Sequence, residues 1–275
     1  MDETLSRLIT AFHILHQQQL LDEHGNVSVR NPHDPSTFFT SNVPAILVSS
    51  KNDLNHWNVV DGSPVTIPHK GCKAVQEIPE FSEHYLHSCI YDHYPGVQSV
   101  VHSHNLSTIV YGLCDNKGSI LQPTYLMAGF LGVPSPIFDA AHHYPSLDPS
   151  TPQNLLITDT RLGDALARTF GASSGRNGTA MLPTHNAVFQ RGHGFVTWAT
   201  NIENAVWRAI HIRRDADIQT IAMAQRSDTD IEIVYLSEQE ASDCCKTINR
   251  TFPLTWAAWV AQMERSGQYY NEIRI

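Results

Sequence analysis

The stretch Ser99–Ser107, SVVHSHNLS, places two histidines one residue apart at the end of an apolar run. SVVHSH has the composition of a strand, and residues i and i+2 of a strand point to one face. His102 and His104 would therefore present their imidazoles side by side, about 7 Å apart along the backbone. Imidazole suits zinc, iron and other first-row divalent ions, so the pair is the beginning of a chelate. Against this, the chain holds 16 histidines in 275 residues, and about one H-x-H is expected from that frequency alone. The neighbouring sequence has to decide.

Upstream, PEFSEHYLHSCIYDHYPG reads as a helix that Ser82 can cap, running to Tyr94 and stopped by Pro95-Gly96. Its spacing sets Glu83 and His87 one turn apart on one face. A carboxylate leading into the histidine strand can serve as a ligand or as an acid/base; a solvated capping residue is the plainer alternative. Downstream, RGHGFVTWA holds His193 between two glycines, which let the backbone approach a site closely. A simple turn is the competing interpretation. His84 and His93 read as surface residues.

The remaining chain mixes helices and strands without a regular βαβ alternation. Leu5, Leu8, Ile9, Phe12, Leu15 and Leu20 fall near helical spacing, predicting a helix over residues 4–22. GNVSVR and STFFTS read as strands around the turn NPHDP. NHWNVVDGSPVTI suggests a hairpin with Asp61-Gly62 at its turn. Further helices are expected near Leu106–Leu113, over 159–170 and along NIENAVWRAIHIRRDADIQTIAMAQ, while NAVFQRGHGFVTWA reads as strand, turn, strand. TYLMAGFLGVPSPIF is apolar enough to be buried. This pattern predicts an α+β fold, three-layered in the α/β/α manner, with a central, mostly antiparallel sheet covered by helices. Residues 1–225 form the expected catalytic domain. Residues 226–275, with a helix over Ser237–Asn249 and the aromatic end WAAWVAQMERSGQYYN, read as a helical appendage packing on the core or on a neighbouring subunit. Trp198, Trp207, Trp256 and Trp259 are expected in core or interface positions.

Bulk properties narrow the function classes. The chain carries 27 Asp+Glu against 18 Lys+Arg, and no basic cluster offsets this, which argues against nucleic-acid and anionic-membrane partners. Five cysteines (Cys72, Cys89, Cys114, Cys244 and Cys245) without CxxC spacing point to reduced thiols. The N-terminus reads as an amphipathic helix rather than a signal peptide, and no run is long enough to span a bilayer. The four N-x-S/T sequons at Asn26, Asn105, Asn177 and Asn249 are then chance matches, and a cytoplasmic location is expected.

In combination, the order HGNVSVR, SEHYLHSCIYDHYPGVQSVVHSH, RGHGFVTWATNIENAVWRA resembles the class II aldolase/adducin family over about residues 5–225. The resemblance implies a divalent metal, zinc first with manganese, cobalt or iron as alternatives, held by His102, His104 and His193. It implies Glu83 as acid/base. Three imidazoles leave coordination positions open, as a catalytic site needs. A bound ion would polarise a carbonyl or chelate an enediolate, and Glu83 would move a proton. The family's members cleave or epimerise sugar phosphates, dehydrate related compounds or decarboxylate aromatic acids, and one branch uses iron and oxygen. They are cyclic tetramers with active sites at subunit contacts, where a C-terminal tyrosine can enter the neighbour's site; this nominates Tyr269 and Tyr270.

Departures from the pattern bear on the substrate. Asn26 of the phosphate-binding set is kept. The small-residue turn becomes TSNV, Thr40–Val43, without its glycine, and the Ser-Ser pair becomes Phe81-Ser82. A phosphate cradle needs close backbone N–H groups and small residues, so a non-phosphorylated hydroxy- or keto-acid is the expected small-molecule substrate. Asn26, Arg30, Thr40, Ser82 and Phe138 are its candidate contacts, Arg30 for an anionic group. Phe138 stands where the aldolases carry a tyrosine; Asp139, His142, His143 or Tyr144 could substitute, although His142 and His143 also fit a surface loop. Three functions follow: a metal-dependent lyase (retro-aldol cleavage, decarboxylation or dehydration), a non-heme iron oxygenase, or an adducin-like binding protein without chemistry.

Overall fold

The computed structural model describes residues 1–65, 83–113, 120–144, 150, 152–171, 182–226 and 232–273. Its centre is a seven-stranded sheet of order β3-β2-β1-β4-β7-β6-β5. The strands are β1 (Asn26–Arg30), β2 (Thr37–Ser41), β3 (Leu54–Asn58), β4 (Ser99–Ser103), β5 (Ile137–Phe138), β6 (Ala187–Gln190) and β7 (Gly194–Ala199). All neighbours pair antiparallel except β5 and β6, which are parallel.

Strand periodicity sorts the core into two halves. Val27, Val29, Phe39, Val101, Phe189 and Phe195 share one cluster with the helices α1 (Asp2–Gln17), α5 (Ile202–Arg226) and α7 (Phe252–Ser266). Phe38, Val100, Val188, Val196 and Trp198 face the other way, against α2 (His84–His93) and α4 (Thr160–Thr169). The α+β, three-layer expectation holds. Alternation also puts His102 on the face of Val100, the side that α2 covers. The short helix α3 (Leu106–Gly112) follows β4 directly, and the Asn105 side chain accepts the Ser107 N–H at its start.

Several boundaries differ from the sequence expectations. The helix expected over 4–22 spans Asp2–Gln17, because the chain turns at Gln19 with φ of 57°. Leu20 and Leu21 are still buried, but as part of the turn into β1. The Asp61-Gly62 turn forms, with Gly62 at φ 66° and Trp57 bridging Pro64; residues from 66 onward in that expected hairpin lie outside the described residues. Ser82, the expected cap of α2, also lies outside them. Glu83 occupies the cap position without a capping bond, since its carboxylate is engaged elsewhere. The helix α6 (Glu238–Ile248) opens with a Ser237/Glu240 capping box and packs on the turn Leu126–Leu131 of the same chain. α7 rests on α1 and α5, burying Trp259 and Met263.

A buried carboxyl on α5 gives the fold a pH dependence. Asp215 is fully buried; one oxygen accepts from Thr124 N and Oγ1 and the other has no partner among the described residues. Burial pushes it up to about 6 from the usual 3.8, against the Thr124 hydrogen bonds. The folded chain thus favours the neutral acid. That contribution is complete below the unfolded value and is lost as pH rises through about 6. Asp215→Asn is expected to be more stable than the parent by about 2 kcal/mol at about pH 7.5, with no difference at about pH 4, in urea unfolding. His211 shifts the opposite way, down to about 3 through burial and Arg214, but it is common to both proteins and leaves the difference. A variant less stable than the parent at the higher pH would contradict this account.

Candidate metal centre

His102 and His104 are placed by the strand rule: His102 is the penultimate residue of β4 and His104 follows its end. β7 lies beside β4, pairing Val196 with His102 and Phe195 with Ser103. The turn between β6 and β7 therefore delivers His193 to the same spot. Glu83, at the start of α2, approaches from the covering layer. One ligand atom from each of Glu83, His102, His104 and His193 lies within 4.8 Å of the others.

The proton inventory shows what this cluster suits. His102 Nδ1 is 3.1 Å from the Phe195 carbonyl, and His104 Nδ1 lies 3.1 and 3.2 Å from the two oxygens of Asp22. Each Nδ1 therefore carries the proton, leaving Nε2 as a lone pair. Yet the Nε2 atoms of His102 and His104 are 2.9 Å apart, and those of His104 and His193 are 3.0 Å apart. Lone pairs converging at such distances repel unless a cation or a proton lies among them. The donor set of three imidazoles and one carboxylate fits a divalent first-row metal.

Glu83 is nearly inaccessible. Its Oε2 is 3.2 Å from Nε2 of both His102 and His193, and Oε1 accepts the Ile157 N–H at 2.8 Å. Burial alone would raise its carboxyl, but where protons lie among the converging Nε2 atoms, the charge and hydrogen bonds of His102 and His193 hold it well below the usual carboxylate range. Burial pushes His102 down to about 4, against the pull of Glu83. For His193 burial also lowers, but the hydrogen bond and charge of Glu83 leave it raised.

A cavity of about 240 Å³ opens beside Glu83 and His102. Asn26, Thr40, Ser41 and Asn55 line it, with His24, His84 and His87, and no lysine or arginine is among the described residues of its wall. Asn26 Nδ2 donates to Ser41 Oγ, and Thr40 Oγ1 accepts the Trp57 indole N–H. His84, expected at the surface, is instead 6 % exposed and stacked flat on Trp57 at 4.2 Å. His87 is buried, with Ser28 Oγ at 2.8 Å from its Nδ1 and Tyr91 Oη behind that serine.

Other nominated residues lie elsewhere. Arg30 is a core staple: its guanidinium donates to the carbonyls of Val97, Pro35, Tyr91 and Tyr94 and sits 4.7 Å over the Tyr91 ring. With its donors so engaged, it is not presented to the cavity as an anion contact. Phe138 is buried in the α2/α4 half of the core and stacks on His143. Of its suggested substitutes, Asp139 pairs with Arg191 at 2.7 Å and Tyr144 accepts the Leu155 N–H. Tyr269 stacks on His13 at 4.9 Å, and its hydroxyl meets His16 at 2.9 Å. Tyr270 is 60 % exposed. Within one chain both tyrosines line a cleft between α1 and α7, away from Glu83. The tail is tied there by Asn271 to Ser6 and by Glu272 N to Ser49. Sequence reasoning missed Asp22 and the Ile157 N–H. The Asp22–Gly25 spacing was the available signal for Asp22; nothing local marks Ile157.

The sequence model of the Class II Aldolase and Adducin N-terminal domain family matches residues 6–220. The chain belongs to that family. As a member of the class II aldolase family it is similar in sequence to the decarboxylase tropJ of Talaromyces stipitatus, 36 % identical over 270 residues, covering 96 % of this chain and 95 % of that protein. Its fold is similar to an aldolase II superfamily protein from Pseudomonas syringae (TM-score 0.69, 17 % identity, 98 % of this chain and 95 % of that chain). It is also similar to an L-fuculose 1-phosphate aldolase from Glaciozyma antarctica (TM-score 0.66, 18 % identity, 98 % and 92 %). No helix among the described residues is long and apolar enough to cross a membrane.

Proposed function

We propose that this class II aldolase-family protein is a metal-dependent decarboxylase of a non-phosphorylated hydroxy- or keto-acid, working as a cytoplasmic homotetramer. The observation that carries the reading is the convergence of Glu83, His102, His104 and His193. The full-length similarity to a decarboxylase favours loss of CO₂ over the other lyase reactions. The absence of lysine and arginine from the described cavity wall favours a substrate without phosphate.

His102, His104 and His193 would hold a divalent metal, zinc first, which when bound supplies electrophilic stabilisation of negative charge on the substrate. The chain's own residues then do the following. Asn26 and Ser41 offer hydrogen bonds to substrate oxygens from the cavity wall. Breaking the bond to the carboxylate releases CO₂ and leaves its electron pair on the adjacent carbon. Glu83, an ionised carboxylate at the outset, takes a proton from a substrate hydroxyl or from water and delivers it to that carbon. The backbone N–H of Ile157 holds Oε1, so that Oε2 faces the reacting centre.

The test is CO₂ release from a panel of aromatic and aliphatic hydroxy- and keto-acids, with zinc- or manganese-loaded protein, run with and without oxygen. Release that persists anaerobically and disappears in His102→Ala supports the proposal. Release that requires oxygen, or that is equal in the variant, overturns it.

A further inference from the structure

The acidic residue behind His104 has a job the proposed reaction does not assign. Asp22 lies in the turn between α1 and β1, with its two carboxylate oxygens 3.2 and 3.1 Å from His104 Nδ1. Its Oδ1 also accepts the backbone N–H groups of His24 and Gly25 at 3.0 and 2.7 Å. The turn packs directly on β4: a Cβ at Gly25 would lie 2.9 Å from Leu21 Cδ2 and 3.2 Å from the His102 carbonyl. Glycine at that position is what lets Asp22 reach the histidine.

The three histidines are not supported alike. His102 Nδ1 meets the Phe195 carbonyl and the Gln190 side-chain amide at 3.1 and 3.3 Å, and His193 Nδ1 is buried near the Leu155 carbonyl without a well-aligned bond. All of these are neutral dipoles. Only His104, among the described residues, has a full negative charge behind it. A carboxylate hydrogen-bonded to Nδ1–H fixes the tautomer, orients the ring and pushes electron density toward Nε2. It also adds a second negative charge to a cluster in which Glu83 is, among the described residues, the other carboxylate.

Resting on the metal reading, we infer that Asp22 is a positioning residue that makes His104 the strongest donor of the three and so sets the affinity of the site for its divalent ion. It acts through His104 and does not touch the substrate. Asn at position 22 keeps an oxygen for the two backbone N–H groups but removes the charge, and Glu restores the charge with one more methylene.

The experiment is titration of metal-free parent, Asp22→Asn and Asp22→Glu with Zn²⁺ against a chelator, and with Co²⁺ followed by its visible absorption. Thermal unfolding of the metal-free proteins runs in parallel. Asp22→Asn is expected to bind about 10- to 100-fold more weakly, with a shifted Co²⁺ spectrum and a metal-free melting temperature near the parent's. Asp22→Glu is expected to recover most of the affinity. Equal affinity in parent and Asp22→Asn overturns the inference and leaves the metal site standing. An equal fall in both variants overturns it too, because the turn rather than the charge would then matter. A parent that binds neither ion overturns the metal reading itself.

Discussion

Glu83→Gln is expected to retain the metal and to lose turnover by about 10²- to 10⁴-fold, the usual contribution of a positioned acid/base. The amide is close to isosteric with the carboxylate, so it keeps an oxygen to accept the Ile157 N–H. What it loses is the ability to give and take a proton. It also loses the negative charge 3.2 Å from both His102 and His193. The three imidazoles remain to hold the ion, and elemental analysis should find near-parent occupancy. Under substrate saturation the loss should appear in kcat rather than in KM, because Glu83 is assigned to proton transfer and not to substrate anchoring. A variant with parent turnover would remove Glu83 from the chemistry; a variant stripped of metal would make it a ligand first.

How far the site was legible in the sequence follows from how local each signal is. The H-x-H pair depends only on strand alternation, and His102 and His104 stand where that rule puts them. The same alternation divides Val100 from Val101 and decides which helix layer faces the histidine cluster. Glu83 and His193 are distant in sequence from the pair, and only the resemblance joined all four. Arg30 shows the opposite failure. A lone cation on a strand beside a polar cavity suggests an anion contact, but four carbonyls take its donors. No sequence pattern reports that, since the carbonyls of Val97, Tyr91 and Tyr94 are brought to Arg30 by folding. His84 was misplaced for a related reason: its partner Trp57 comes from β3, and a histidine at a helix start looks solvent-facing until that ring covers it. Asp22 escaped notice because a carboxylate in an exposed turn is usually no more than a turn former. It is that as well, holding two backbone N–H groups.

The largest structural effect is expected at Gly194. This residue opens β7 directly after His193, at φ 157°, a conformation that L side chains rarely adopt. A Cβ added there would lie 2.0 Å from the Ser103 carbonyl oxygen and 3.2 Å from the His104 Cα. These are backbone atoms at the end of β4, where His102 and His104 lie, so no side chain can swing aside to make room. Either β7 moves away from β4, breaking the pairing of Phe195 with Ser103, or the His193 turn is displaced. Overpacking costs about 1–3 kcal/mol and the strained backbone about 1–3 kcal/mol more. Gly194→Ala is therefore expected to lose about 4 kcal/mol of stability, a fall of roughly 10 °C in melting temperature for a chain of this size. Metal binding should fall with it, because the third imidazole no longer meets the other two. Gly132→Ala is the control: it shares a positive φ, at 69°, but a Cβ there meets nothing within 4 Å among the described residues, so it carries the backbone strain without the collision. Equal melting temperatures for the two variants would show that strain alone accounts for the loss. A Gly194→Ala protein that melts like the parent and binds the ion normally would mean that β4 and β7 are not held as tightly as their packing around His193 requires.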